Sequence, residues 1–212
     1  MVKTITVDPE LADAVERDLF SLRPNWKYYK NTIDSNHYVF DINKATLDEI
    51  NRKYGPIDDT QRFTESIFNS QLPSRKDQAL PKSFLNIRSD PKSRYNLCFP
   101  AMAKLVDHIQ GTYIPKNYRV KRLIFNMQTI RPKWSMQHPH PDFFDKDLIT
   151  ILYYVNNSDG DTFFFEGSEC VHRSSPIKGT AAMSPSCMWH AGSSPTKTET
   201  RVVINMCFGP KQ

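Results

Sequence analysis

No run of about 18 consecutive apolar residues occurs anywhere in the 212-residue sequence, so no membrane-spanning helix and no membrane partner are expected. The start of the chain, Met1 to Pro9, lacks the apolar stretch of an export signal, and the reading is a cytoplasmic protein. Cysteine is sparse. Cys98, Cys170, Cys187 and Cys207 show no CxxC or other ligand spacing, which argues against a disulfide scaffold and a thiolate zinc site. There is no internal repeat and no low-complexity linker. What is present is ordinary for a folded domain: 39% hydrophobic, 12% aromatic and 24% charged residues, with a mild net charge of +5. A single domain over residues 1–212 is therefore expected. Lys116, Arg119, Lys121, Arg122, Arg131 and Lys133 gather around one strand-like run. They read either as an attraction for an anionic partner or, more simply, as a solvated strand edge guarded against aggregation.

The chain divides by texture. In residues 1–117, Lys3 to Val7 reads as a short strand, and Pro9 opens a helix to about Leu22 with Leu11, Ala14, Val15 and Leu19 at helical spacing. Tyr38 to Ile42 suits a strand, Ala45 to Tyr54 a helix ended by Gly55, and residues 73–93 a long loop. A further helix runs from about Arg94 to Ile109, interrupted or started by Pro100. Residues 118–209 read as strands: Val120–Ile130, Leu148–Asn156, Thr162–Phe165, Thr180–Met183 and Arg201–Phe208. Short strands at this spacing indicate a sandwich, jelly roll or barrel, here an α+β chain with a mainly β core braced by helices from its N-terminal half.

Between two of these strands lies His140-Pro141-Asp142. In extended backbone, residues i and i+2 project to one side, so an imidazole and a carboxylate converge. His190, 48 residues beyond Asp142, is the best third ligand. Two histidines and one carboxylate on one face leave three positions open on an octahedral ion, which suits non-haem Fe(II). His138 competes, because His138-Pro139-His140 also alternates; choosing it would make Asp142 redundant. Cys170-Val171-His172 falls in an expected loop with His172 solvated, and His37 and His108 receive no role. Arg201 begins a strand eleven residues after His190, and alternation places Arg201, Val203, Asn205 and Cys207 on one face. A guanidinium directed inward needs an anion, and its planar fork suits a carboxylate. A metal triad with an inward arginine describes a site for a dicarboxylate that chelates the metal at one end.

These residues carry a resemblance. His140 to Asp142, Ile149 to Asn156, Asp159 to Phe165, Ile177 to Thr180, His190 to Gly192 and Arg201 to Asn205 stand in the order found in the Fe(II)/2-oxoglutarate-dependent dioxygenases. The match is nearest their prolyl-4-hydroxylase-like branch. The resemblance implies a double-stranded β-helix, the jelly roll of that superfamily. It implies Fe(II) on His140, Asp142 and His190, 2-oxoglutarate as co-substrate with Arg201 on its distal carboxylate, O₂ as oxidant and ascorbate as a further cofactor. Tyr154 is the tyrosine implied beside Arg201, sharing a strand face with Thr150 and Leu152 while Tyr153 packs on the other side. Asn205 is a weaker supporting candidate. No catalytic side chain beyond the metal centre is implied, and Asp142 argues for oxygen transfer over halogenation.

The implied reaction hydroxylates an unactivated C–H bond and releases succinate and CO₂. A peptidyl proline or another protein side chain is the favoured substrate, with Trp134, Phe143, Phe144 and Trp189 either lining an entrance or sealing the barrel mouth. Oxidative demethylation of nucleic acid is the alternative within the superfamily. It is weakened because the second arginine of the DNA-repair relatives falls at Cys207 here. The collagen-type hydroxylases use lysine where this chain has Arg201, which sets that subgroup apart. A cupin-like metal-binding protein that does not use 2-oxoglutarate, and a non-catalytic binding module, are the readings from other classes.

Overall fold

The computed structural model describes residues 1–21, 27–29, 42–57, 62–69 and 100–211. Ten strands and three helices are described, and the strands form two antiparallel sheets. The larger sheet runs in the order β1 (Lys3–Thr6), β8 (Thr180–Pro185), β5 (Ile149–Tyr154), β10 (Thr200–Pro210), β4 (Tyr118–Thr129), β3 (Arg62–Asn69), β2 (Lys27–Tyr29). The smaller joins β7 (Glu169–Ser174), β6 (Thr162–Glu166) and β9 (Trp189–Gly192). Segment 136–140 extends the smaller sheet through bridges Met136 to Ser193 and His140 to His190.

Helix α1 (Pro9–Ser21) begins where Asp8 accepts from the amides of Glu10 and Leu11 at 2.9 and 3.2 Å, with Pro9 in the first turn where no N–H is needed. Helix α2 (Lys44–Tyr54) is capped by Asn43 and closed by Gly55 at φ 103°, a left-handed value that favours glycine. Helix α3 (Pro100–Thr112) starts at Pro100, and the amide of Ala101 donates to Asp18 of α1 at 2.9 Å. The apolar faces of α1 and α3 (Val15, Leu19, Leu105, Ile109) pack on the outer face of the large sheet, against Val202, Ile204 and Phe208. At about 25 cal/mol per Å² of buried apolar surface, this contact is a principal stabilising term.

With alternate β10 residues committed to the helices, the intervening ones must face the small sheet. Val203 duly packs with Leu152, Tyr154 and Phe164 between the sheets. Tyr154 thus faces inward, while Tyr153 joins the helix-side core, as the strand reading expects.

Four expectations need correction. His172 is not in a loop: it lies in β7, half-buried, 5.8 Å from the Phe164 ring. β7 escapes a sequence reading because its inward positions are Cys170 and His172, so no apolar alternation shows; β9 is only four residues long. β4 is not an edge but lies between β10 and β3, and Lys121 is buried in it. Residues 1–117 supply three strands to the large sheet besides the helices. The expected strand at 38–42 (apart from Ile42), the loop at 73–93, and His37 and Cys98 lie outside the described residues.

Candidate metal centre

His140 and His190 face each other across the small sheet, exchanging backbone hydrogen bonds of 2.9 and 3.0 Å, with rings 4.9 Å apart. Each ring is oriented by the chain two residues back. His140 Nδ1 bonds the carbonyl of His138 at 2.9 Å, and His190 Nδ1 bonds that of Met188 at 3.1 Å. Carbonyls only accept, so both Nδ1 atoms carry the proton and both Nε2 atoms carry the lone pair that a metal needs. Asp142 completes the group, and one ligand atom from each of the three residues lies within 4.8 Å of the others. Asp142 Oδ2 stands 3.8 Å from His190 Nε2. His138 is not in this group; its Nδ1 bonds the Pro139 carbonyl at 3.0 Å. His108 sits apart on α3 against Tyr113.

Asp142 is held from behind. Asn205 Nδ2 donates to its two oxygens at 2.9 and 3.1 Å, and Arg122 forms an ion pair with Oδ1. Arg122 also donates to Asn205 Oδ1 at 3.1 Å, which fixes which way round that amide lies. Burial alone would raise the Asp142 carboxyl, but the Arg122 guanidinium, helped by the two neighbouring imidazoles, outweighs it and holds the group well below the usual carboxylate range. Asp142 is therefore ionised at neutral pH, as a metal ligand must be. Beside it, burial pushes the Cys207 thiol up to about 11, so it stays neutral.

Arg201 lies further along the same face of β10, 6% exposed. Its Nε donates to the Gly160 carbonyl at 2.7 Å, Nη1 to Gln128 Oε1 at 2.8 Å and Nη2 to Thr162 Oγ1 at 2.6 Å. All three partners are neutral, and among the described residues no carboxylate pairs with this guanidinium. Asp161, which acts on it through space, is itself paired with Arg173. Tyr154 Oη also donates to Thr162 Oγ1, at 2.9 Å. With two donors on it, the Thr162 hydroxyl has its own hydrogen left to give, and an anion is the natural acceptor.

Glycines make room here. A Cβ on Gly160 would come 2.5 Å from the Ser193 carbonyl oxygen and 2.9 Å from Arg201 Cδ. The turn holding Gly160 is anchored by Asp159, whose carboxylate accepts from the amides of Thr196, Lys197 and Thr198 and from two threonine hydroxyls. Desolvation opposes ionisation, but these bonds outweigh it and depress the carboxyl. A depressed carboxyl contributes stability that is full above its unfolded pKa of about 3.9 and is lost as pH falls through the folded value. Asp159→Asn is thus expected to lower stability at pH 7 and to flatten its decline below pH 4, as read by urea unfolding at several pH values. An unchanged acid limb would contradict this.

The sequence-derived residues converge as two ends of one interior face: His140, Asp142, His190 and Asn205 at one, Arg201 and Tyr154 at the other. Four participants were not legible beforehand. Arg122 stood among the surface-like basic residues, yet it lies opposite Cys207 in the ladder, on the inward face. Gln128 is the cross-strand neighbour of Arg201 by the same register. Gly160 and Thr162 lay within the quoted Asp159 to Phe165 element without an assigned task. Of the aromatics near the triad, Trp134 packs on Phe163 and Trp189 joins the same core cluster, with Ile50 and Tyr54 of α2. Phe143 covers the Arg122 guanidinium at 4.6 Å, and Phe144 is exposed.

No family model and no curated protein matches the sequence. Solved structures do match. One is an oxidoreductase of the 2OG-Fe(II) oxygenase family from Burkholderia pseudomallei, at 12% identity and TM-score 0.55, covering 97% of this chain and 84% of that one. Another is a prolyl hydroxylase from Trichoplax adhaerens in complex with a hypoxia-inducible-factor peptide fragment, at 11% identity and TM-score 0.53, covering 99% and 83%. The chain has the fold of the 2OG-Fe(II) oxygenases, the double-stranded β-helix that its motifs resemble. The likeness extends over both halves of the chain. No helix among the described residues is long and apolar enough to cross a membrane.

Proposed function

We propose that this protein is an Fe(II)- and 2-oxoglutarate-dependent oxygenase that hydroxylates an unactivated C–H bond. The observation that carries the reading is the buried Arg201 guanidinium, bonded only to neutral groups, on the same interior face as a His-Asp-His cluster. A buried cation with no carboxylate bonded to it is costly, and an anion that binds there would explain it. The residues fit the cofactor pair. His140 Nε2, Asp142 Oδ2 and His190 Nε2 would hold Fe(II), and Arg201 with Thr162 would hold the distal carboxylate of 2-oxoglutarate. Val203, Leu152 and Phe164 line the interior between the two ends and suit its methylene carbons. Bound there, Fe(II) and 2-oxoglutarate supply the oxidative chemistry, with O₂ consumed and succinate and CO₂ released.

The protein's own part is placement. The Nδ1 bonds fix both imidazoles, Asn205 and Arg122 fix the carboxylate, and the Gly160 carbonyl and Gln128 fix the guanidinium. Tyr154 acts through Thr162, to whose hydroxyl it donates alongside Arg201. The apolar contacts of Val203 and Phe164 keep water from the interior. No side chain is assigned as general base.

For the substrate we favour a peptidyl proline or other protein side chain. The support is the fold shared with a prolyl hydroxylase that binds a peptide. The test of the reaction class is Fe(II)-dependent release of succinate from 2-oxoglutarate in air, which such enzymes sustain slowly without substrate. Succinate formed only with Fe(II) supports the reading. Metal binding with no succinate under any condition replaces it with the cupin-like one.

A further inference from the structure

We infer that Arg122 is a positioning residue that confines Asp142 to one-oxygen coordination, and that its charge keeps the site from holding a divalent metal tightly until a dianionic ligand joins it. The inference rests on the function proposed above and extends it to a residue outside the ligand set.

The geometry divides the carboxylate between two tasks. Oδ1 takes the Arg122 ion pair and the shorter Asn205 bond, while Oδ2, with the longer Asn205 bond at 3.1 Å, lies toward His190. The Arg122 and Asp142 side chains are 12% and 4% exposed, so the pair is largely shielded from water. Phe143 lies over the guanidinium, whose Nη2 also bonds Asn205. A carboxylate gripped at Oδ1 offers a metal Oδ2 alone. A bidentate carboxylate would use up one of the three positions that a chelating keto acid and O₂ require.

The charges set the second consequence. Asp142 is neutralised by Arg122, imidazoles that ligate a metal do so in the neutral form, and Arg201 is a further buried cation. The interior is thus net positive before any metal arrives, and a divalent ion makes it more so. In a buried site such repulsion is poorly screened. A dianion bound between metal and Arg201 relieves it, so metal and dianion must strengthen each other's binding, by the same factor in both directions.

The test is titration of the purified 212-residue protein with Co(II), followed by calorimetry, with and without saturating 2-oxoglutarate. Arg122→Met is expected to bind Co(II) alone at least tenfold more tightly than wild type and to gain less from 2-oxoglutarate. Arg122→Lys, which keeps the charge, is expected within threefold of wild type. Damage to the fold weakens binding, so tightening separates this role from a structural one. A folded Arg122→Met that binds Co(II) equally or more weakly overturns the inference while leaving the proposed function standing. Wild type that binds no Co(II) overturns both. Should Arg122→Met fail to fold, a crystal structure of the wild type with Co(II) decides: Oδ2 alone on the metal and Arg122 still on Oδ1 is the expected result, and bidentate Asp142 overturns it.

Discussion

Asp142→Ala is expected to abolish metal binding and, at the same time, to cost about 3–5 kcal/mol of stability. The first effect follows because two imidazoles alone do not complete the cluster. The second follows because the substitution strands the Arg122 guanidinium in a buried place, with Asn205 as its remaining polar partner. The two effects separate in a double variant. Arg122→Met combined with Asp142→Ala removes both charges, and replacing a buried ion pair with apolar groups is often neutral. Its stability should return to within about 1–2 kcal/mol of wild type while metal binding stays absent. Denaturant unfolding of the four proteins in the cycle, with Co(II) titration of each, reads both quantities. A single variant that keeps full stability would show that the Arg122 pair does not hold the site together.

Arg201→Met is expected to do the reverse, removing function with little change in stability. Burial already works against the charged form of this guanidinium, and its three partners are neutral. Removing the cation therefore relieves a desolvation cost that offsets much of the hydrogen bonding lost, and the net change is expected below about 1 kcal/mol. Affinity for 2-oxoglutarate should fall at least a hundredfold, since a charge-assisted, two-point carboxylate contact is lost. Metal affinity without 2-oxoglutarate should not fall, because Arg201 touches none of the three ligands. Equal losses of metal and 2-oxoglutarate affinity would make Arg201 a structural residue instead. A site residue whose removal spares the fold marks a place where stability has been given up for binding.

Much of this site was legible in the sequence because its chemistry follows strand periodicity. His140 and Asp142 are two residues apart, and Arg201 and Asn205 are four apart, so alternation alone puts each pair on one face. The same rule separates Tyr154 from Tyr153. Helices α1 to α3 were visible through Pro9, Gly55 and Pro100, which punctuate them whatever the tertiary context. What stayed hidden depends on register between strands distant in sequence. Arg122 and Gln128 reach the site only because β4 lies beside β10 with Arg122 opposite Cys207 and Gln128 opposite Arg201. Within β4 alone, Arg122 is one of several basic residues, and no local pattern marks it. β7 was hidden for a different reason: its buried positions hold a cysteine and a histidine, which a search for apolar alternation passes over.

The central claim, that one interior face holds a metal at one end and a dicarboxylate at the other, is tested most directly by anaerobic titration. Fe(II) is added to the metal-free protein, then 2-oxoglutarate, and the visible spectrum is recorded; no substrate need be known. Chelation of Fe(II) by the keto acid gives a weak charge-transfer band. The account predicts that band in the wild type, its absence in Asp142→Ala, and its appearance in Arg201→Met only at far higher 2-oxoglutarate. Iron that binds the wild type without giving the band at any 2-oxoglutarate concentration would contradict it.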